Sequence, residues 1–202
     1  MELDTEDDSD TEPESSRENV ISAEPTPIAI DGATLEETDY EKTRDIIFEL
    51  TQTISMKDES YIIEASNHLI ECVRTIDRID GEQPVAAFTA VGTPEIETVS
   101  QKVDFAERVT NEVIENSLQI GYETIEIEDQ ASTTHSVVPF ENEVTVYQYP
   151  GVAEASDYKV DVHLHVARAV RETDYITLVG LYPYFLGDDE QDRIFDLMEA
   201  IE

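Results

Sequence analysis

Apolar residues near the N-terminus recur at three-four spacing in two consecutive stretches. The first stretch covers residues 39–56 and has Thr38 and Glu41 at capping-box spacing at its start; the second covers 59–79. Because a short polar break separates them, the pattern predicts a helical hairpin. The apolar positions are Ile46, Ile47, Leu50 and Ile54 in the first stretch, and Ile62, Ala65, Leu69, Cys72, Val73 and Ile76 in the second.

A third helix is predicted downstream of a short apolar strand. Residues 84–91 are strand-like, and Gly92 interrupts them. Thr93 and Pro94 then form a helix start, with an N-cap residue followed by proline at the first helical position. Three-four spacing continues to about residue 120, and Gly121 is the expected end of this helix.

After Gly121 the apolar period changes to two, which predicts strands. They cover 122–128, 143–151, 158–167 and 174–182, and a last helix begins at Gly187. Short connections favour an antiparallel meander. The expected fold class is α+β: an N-terminal helical hairpin, then a mainly antiparallel sheet of about five strands with a C-terminal meander, covered by helices.

Composition divides the chain into a tail and one domain. Residues 1–27 are too acidic and too poor in apolar groups to form a core, which predicts a disordered tail. Residues 28–202 would form a single domain, with a helical part at 38–80 and a sheet-forming part at 84–202.

Charge is the strongest compositional signal. The 202 residues include 48 acidic and 12 basic side chains, for a net charge of −36, yet 40% of residues are hydrophobic. An acidic, lysine-poor but foldable chain resembles the proteins of salt-in halophilic archaea and their viruses. In such proteins molar salt screens the self-repulsion of the folded state. An acidic protein from a low-salt organism, or a nucleic-acid mimic, is the alternative.

The same charge excludes some partners. Phosphate contacts with nucleic acid need clustered lysine and arginine, and an anionic membrane surface would repel the chain. The single cysteine, Cys72, permits no internal disulfide. We expect a cytoplasmic protein, or a virion component if the gene is viral, since no apolar run is long enough to span a bilayer.

The segment Asp161–Val166 reads DVHLHV and contains two of the four histidines. On a strand, Asp161, His163 and His165 would point to the same side. Such a set can bind a divalent metal, with His135 as a distant further ligand, and no other cofactor is indicated. The alternative is the polar face of an ordinary amphipathic strand.

No other residue pattern indicates chemistry. His68 and Cys72 fall on the second predicted helix without a catalytic partner, so a structural histidine and a buried, unreactive thiol are expected. The glycines are too widely spaced for a nucleotide-binding loop or a nucleophile elbow.

Tyrosines form the second candidate site. In a meander, the ends of alternate strands meet at one edge, which would gather five tyrosines and a phenylalanine there. Exposed tyrosine suits protein contacts, whereas packing under the last helix is the alternative. These residues are Tyr147, Tyr149, Tyr158, Tyr182, Tyr184 and Phe185.

Two functional classes follow. The first is a non-catalytic, salt-adapted protein that acts through contacts with a protein partner or with its own copies, as an adaptor, an assembly or regulatory factor, or a virion structural component. The second is a metal-binding protein or metal-dependent enzyme that uses His163 and His165. The lack of any other catalytic pattern favours the first class.

Overall fold

The computed structural model describes residues 19–56, 59–78, 81–97, 102–103, 113, 122–155 and 158–202. Within them the chain is mostly β-structure. The strands are β1 (Asn19–Ala23), β2 (Glu41–Met56), β3 (Glu59–Arg78), β4 (Gly81–Thr93), β5 (Ile96–Glu97), β6 (Lys102–Val103), β7 (Thr124–Ile127), β8 (Thr133–Val137), β9 (Val144–Ala155), β10 (Tyr158–Arg171) and β11 (Asp174–Pro183). The described α-helices are α1 (Gly32–Thr38) and α2 (Asp188–Glu199), and short 3-10 turns cover Pro139–Glu141 and Tyr184–Leu186.

Nine of these strands form one mixed sheet. Its main order is β2-β3-β4-β11-β10-β9, and all of these pairs are antiparallel. β1 pairs with β3 in parallel, on the side that β4 uses further along the strand. β7 and β8 share the outer side of β9 in the same way. The predicted meander is therefore present as β9, β10 and β11, inside a larger sheet.

The predicted N-terminal helical hairpin is wrong. Its two stretches are β2 and β3, which form a long antiparallel hairpin. A spacing of four residues satisfies both a helix and a strand, so Ile46, Leu50 and Ile54 fit either structure. The deciding residues are Phe48, which joins Leu50 and Ile54 against the core, and Ile47, which is 61% exposed. The fold class is accordingly mainly β rather than a sheet covered by helices.

The start of the third predicted helix is wrong, whereas Val113, a described residue further along it, is helical. Ile96–Glu97 pairs with Lys102–Val103 in a short antiparallel ladder, so the chain is extended there. Most of the remaining predicted helix, up to residue 120, lies outside the described residues. The predicted tail is only partly described: Asn19–Ala23 forms β1, and the residues before it lie outside the described part.

Apolar side chains cover both faces of the sheet. Alternating residues of the central strands point to opposite faces, as the near-continuous apolar sequence of β11 requires. One face buries Ile63, Leu69, Val91, Val162 and Leu181, among others. The other buries Ile70, Phe88, Leu178 and the inner side of α2.

A close approach at Gly180 holds α2 against the second face. A Cβ built on Gly180 would lie 2.5 Å from Ile194 Cγ2, so only glycine admits the helix at this distance. Glu190 of α2 is also buried. Its carboxylate accepts hydrogen bonds from Arg74 Nε at 3.0 Å and from the Tyr40 hydroxyl at 2.8 Å. Arg74 Nη2 also pairs with this carboxylate, and Arg193 Nη1 lies 3.3 Å from it.

The segment between β1 and α1 is held by polar contacts with the sheet. Asp174 Oδ2 accepts the Thr26 N–H at 2.6 Å, and His68 Nδ1 accepts the Ile28 N–H at 3.0 Å. Ala29 and Glu202 exchange two backbone hydrogen bonds, which close the C-terminus onto this segment. Among the described residues, no helix combines the length and apolar character that crossing a bilayer requires.

Candidate functional site

The three residues of the DVHLHV segment lie on one face of β10, the face that α2 covers. Asp161 is exposed, His163 is partly buried and His165 has no exposed surface. This gradient arises because β10 begins beside the end of β9, where Tyr158 pairs with Ala155, and then runs into the middle of the sheet, under α2. The expectation that they share a side therefore agrees with the strand geometry.

A third histidine joins this pair from a different strand. His135 lies on β8, and its ring centroid is 6.1 Å from that of His165. His163 and His165 are 6.3 Å apart by the same measure. The ring of Phe195, from α2, lies 5.2 Å from His135 and 5.3 Å from His165, so it closes the cluster on the helix side.

Gln148 of β9 connects two of these histidines. Its amide Nε2 donates to His163 Nδ1 at 2.8 Å, and its Oε1 accepts from His135 Nε2 at 3.2 Å. Since Nδ1 of His163 accepts, its Nε2 carries the proton in the neutral ring. Thr133 Oγ1, 3.0 Å from His135 Nε2, completes the network on β8. Burial lowers the pKa of His163, which favours this neutral form.

His165 is paired with Tyr182 beneath the cluster. Its Nε2 lies 3.1 Å from the Tyr182 hydroxyl, and the two rings stack with centroids 5.4 Å apart. Burial, with smaller contributions from His163 and His135, lowers the pKa of His165 to about 3. Its Nδ1 has no hydrogen-bond partner. The ring is therefore neutral at ordinary pH and packs as part of the core.

These hydrogen bonds bear on the metal hypothesis. Coordination by His163 Nδ1 or His165 Nε2 would replace the bonds to Gln148 and Tyr182. In the part of the chain that the structure describes, no group of three or more histidine, cysteine, aspartate or glutamate side chains is placed to hold a metal ion.

Two depressions open onto the surface beside His163 and Tyr184. The smaller has a volume of about 310 Å³ and is polar. It is lined by Gln148, His163, Tyr182, Tyr184, Gly187, Asp188 and Gln191. The larger, of about 500 Å³, is an open groove lined by Glu126, Ile127, Glu128, Pro150, Gly151, Val152, Asp161, Val162, His163 and Tyr184. We call the smaller depression the His163 pocket and the larger one the acidic groove.

The structure does not bring the six predicted aromatic residues together. Tyr147 and Tyr149 pair with Val166 and Leu164, on the face opposite Tyr182. Tyr158 lies at the far end of the hairpin, opposite Ala155. The expectation assumed that the strand ends near Gly151, whereas β9 continues to Ala155.

Only one part of that set is exposed beside a depression. Tyr184 and Phe185 are 64% and 63% exposed on the turn that follows β11. The Tyr184 ring lies 5.0 Å from the His163 ring, whereas Phe185 lines neither depression. Tyr182 is buried in the core, and burial raises the pKa of its hydroxyl, which stays protonated.

The remaining candidates have structural surroundings. His68 lies on β3 rather than on a helix, and its Nε2 donates to Asp45 Oδ1 at 2.8 Å. With Nδ1 occupied by the Ile28 N–H, both ring nitrogens hold the fold together. Cys72 is fully buried, and burial raises the pKa of its thiol to about 12, so the thiol is protonated and unreactive.

A different surface feature is the outer edge of β2. This strand has 16 residues and pairs with β3 along one side only, among the described residues. Ile46 and Ile47 are 38% and 61% exposed near its middle. Unpaired backbone groups along an apolar edge are a template for another strand. Sequence patterns did not indicate this edge, because the segment was interpreted as a helix.

The residues of the His163 pocket come from four parts of the chain. Gln148 carries no signal of its own in the sequence, and its role depends on the β8–β9 and β9–β10 pairing. Asp188 and Gln191 belong to the first turns of α2, where acidic and polar residues are common in any helix. Of the lining residues, the sequence indicated His163 through the alternation of β10, and Tyr182 and Tyr184 through the tyrosine pattern.

Comparison with known families assigns the chain to a family. The sequence model of the family described as "Domain of unknown function (DUF6517)" matches residues 27–202, and the chain belongs to that family. The match begins just after β1 and includes Ile28, whose N–H is bound by His68. A search of curated proteins found no match.

Proposed function

We propose that this protein is non-catalytic and acts through protein contacts, with a second copy of the chain pairing along β2. The observation that carries the proposal is the 16-residue strand β2, the outermost described strand on its side of the sheet, which exposes Ile46 and Ile47 near its middle. Monomeric proteins protect edge strands with short strands, charged side chains, prolines or bulges. In β2 the register irregularity and the charges of Lys42, Arg44 and Asp45 lie before Ile46, and Glu49 is the one charged residue after Ile47.

The charge of β2 does not oppose pairing at this place. β2 contains three acidic residues (Glu41, Asp45, Glu49) and two basic ones (Lys42, Arg44), a net charge of −1, in a chain of net charge −36. Two copies repel each other least where their surfaces carry the least net charge. An antiparallel pair of β2 strands has two-fold symmetry about an axis perpendicular to the sheet and extends the sheet continuously.

Replacing Ile47 with lysine tests the proposal. Light scattering in concentrated KCl should give a dimer mass for the wild type and a monomer mass for Ile47→Lys, because two added charges would face each other across the edge. Val170→Lys is the matched control, since Val170 is 51% exposed on β10, away from β2. It should remain dimeric.

Two results would overturn the proposal. A wild-type protein that stays monomeric up to high protein concentration in concentrated KCl would remove β2 as a self-association edge. A dimer that persists unchanged in Ile47→Lys would move the interface to another surface. Circular dichroism of both variants establishes that each compared protein is folded.

A further inference from the structure

The His163 pocket combines features that the proposed function does not use. The polar side chains that line it belong to Gln148, His163, Tyr182, Tyr184, Asp188 and Gln191. Among the described residues, no lysine or arginine lines either this pocket or the acidic groove. Its volume of about 310 Å³ falls at the lower end of the range for small-molecule sites, about 300–1,000 Å³.

The lining presents hydrogen-bond donors and acceptors together. Gln148 occupies Nδ1 of His163, which leaves its Nε2–H as a donor in the neutral ring. Asp188 is an acceptor, and the Gln191 amide and the tyrosine hydroxyls are both donors and acceptors. An anionic ligand would be repelled by Asp188, and a cation would make no use of the His163 donor. A ligand with several hydroxyl groups suits both the Asp188 acceptor and the His163 donor, because each hydroxyl donates one hydrogen bond and accepts others.

An aromatic platform stands at the rim. The Tyr184 side chain is 64% exposed, and it lines both the pocket and the groove. Its position is set by the 3-10 turn Tyr184–Leu186, which Gly187 closes with a backbone hydrogen bond to Tyr184. An exposed ring beside hydrogen-bonding groups offers a flat apolar surface to the C–H face of a ring-shaped ligand while its hydroxyls bond at the edges.

We infer that the His163 pocket binds a neutral polyhydroxy ligand, a pyranose sugar ring stacked on Tyr184 with its hydroxyls hydrogen-bonded to His163, Asp188 and Gln191. The acidic groove begins on the other side of Tyr184 and provides room for a second ring, with Glu126, Glu128 and Asp161 as hydroxyl acceptors. The site lies on the α2 face at the end of β10, and it does not depend on pairing along β2.

Saturation-transfer NMR in concentrated KCl is the test. The probes are methyl α-glucoside, methyl α-mannoside, methyl β-galactoside, maltose and cellobiose, with spermidine and acetate as a cation and an anion for comparison. Magnetisation should reach the ring protons of at least one sugar, and a disaccharide should bind more tightly than its monosaccharide. Tyr184→Ala should weaken binding at least tenfold.

Phe185→Ala is the matched control, because Phe185 is 63% exposed next to Tyr184 but lines neither depression. It should bind the sugar like the wild type, and Asp188→Asn should bind more weakly. Melting temperatures of the variants report folding. The inference is overturned if none of the five sugars receives magnetisation, if spermidine alone binds, or if Tyr184→Ala binds sugar as well as Phe185→Ala.

Discussion

At the scale of single residues, the histidine cluster shows what a strand pattern does and does not predict. Alternation along β10 was sufficient to place His163 and His165 on one side. It was not sufficient to place Gln148 or His135, because these residues reach the cluster through strand pairing between distant segments. The hydrogen bond from Gln148 then decides which nitrogen of His163 carries the proton in the neutral ring. The alternation of residues along one strand can be predicted from sequence, whereas the residues that face it on neighbouring strands cannot.

The buried histidine predicts a pH dependence of stability. The pKa of His165 falls from 6.5 to about 3 in the folded state. The unfolded chain therefore binds more protons than the folded one between these values, and the stability contributed by the neutral ring is lost as pH falls below 6.5. Between pH 6.5 and pH 5 this loss is about 2 kcal/mol, at about 1.36 kcal/mol per pH unit.

Urea unfolding at constant KCl measures this effect by difference. The wild type should lose about 2 kcal/mol relative to His165→Phe on going from about pH 7.5 to pH 5. The other titrating groups are shared by the two proteins and cancel. A difference in unfolding free energy that stays constant over this range would mean that folding does not lower the pKa of His165.

The Glu190 carboxylate is the second residue with a large expected effect. It is 1% exposed and is shared by Arg74, Tyr40 and Arg193. In Glu190→Gln the buried Arg74 guanidinium loses its counter-charge, which we expect to lower the unfolding free energy by about 3–5 kcal/mol. Asp189→Asn changes the same charge at an exposed position in the same helical turn and should cost less than about 1 kcal/mol. Equal losses in urea unfolding would contradict the role of this carboxylate.

At the scale of elements, the C-terminal strands were predictable and the N-terminal hairpin was not. β10 and β11 alternate or are apolar throughout, and neither pattern suits an exposed helix. In β2 the residues Ile46, Leu50 and Ile54 are four apart, a spacing that both structures share. A strand and a helix differ here in whether Phe48 or Ile47 faces the core, and only the pairing with β3 shows that it is Phe48. Isoleucine and threonine, which are frequent in β2, favour a strand, so propensity was the signal available.

The contact between α2 and β11 predicts the effect of enlarging Gly180. In Gly180→Ala the new Cβ would lie 2.5 Å from Ile194 Cγ2, so α2 must shift away from the sheet. We expect a loss of about 1–3 kcal/mol in urea unfolding, as for other overpacked cores. Gly32→Ala is the control, because nothing lies within 4 Å of a Cβ at that position. If both substitutions have the same effect, the helix does not rest on Gly180.

At the scale of the whole molecule, charge and fold must be considered together. The sheet is apolar on both faces, so most of the acidic side chains lie outside the core, where basic partners are few. The ion pairs among the described residues use several of the 12 basic side chains, some of them on a shared carboxylate such as Glu190. Most of the 48 acidic groups therefore remain to repel one another in the folded state.

This repulsion predicts that folding requires salt. The Debye length is about 10 Å at 0.1 M and about 3 Å at 1 M salt, so only molar salt screens charges at the spacing of surface neighbours. The melting temperature, followed by circular dichroism, should rise steeply between about 0.1 M and about 2 M KCl. Sucrose is the control: it strengthens burial through exclusion from the protein surface without screening charge. Sucrose should therefore replace KCl only in part. A native spectrum and an unchanged melting temperature in dilute buffer would mean that the net charge of −36 is tolerated without screening, and that the halophilic interpretation of the composition is wrong.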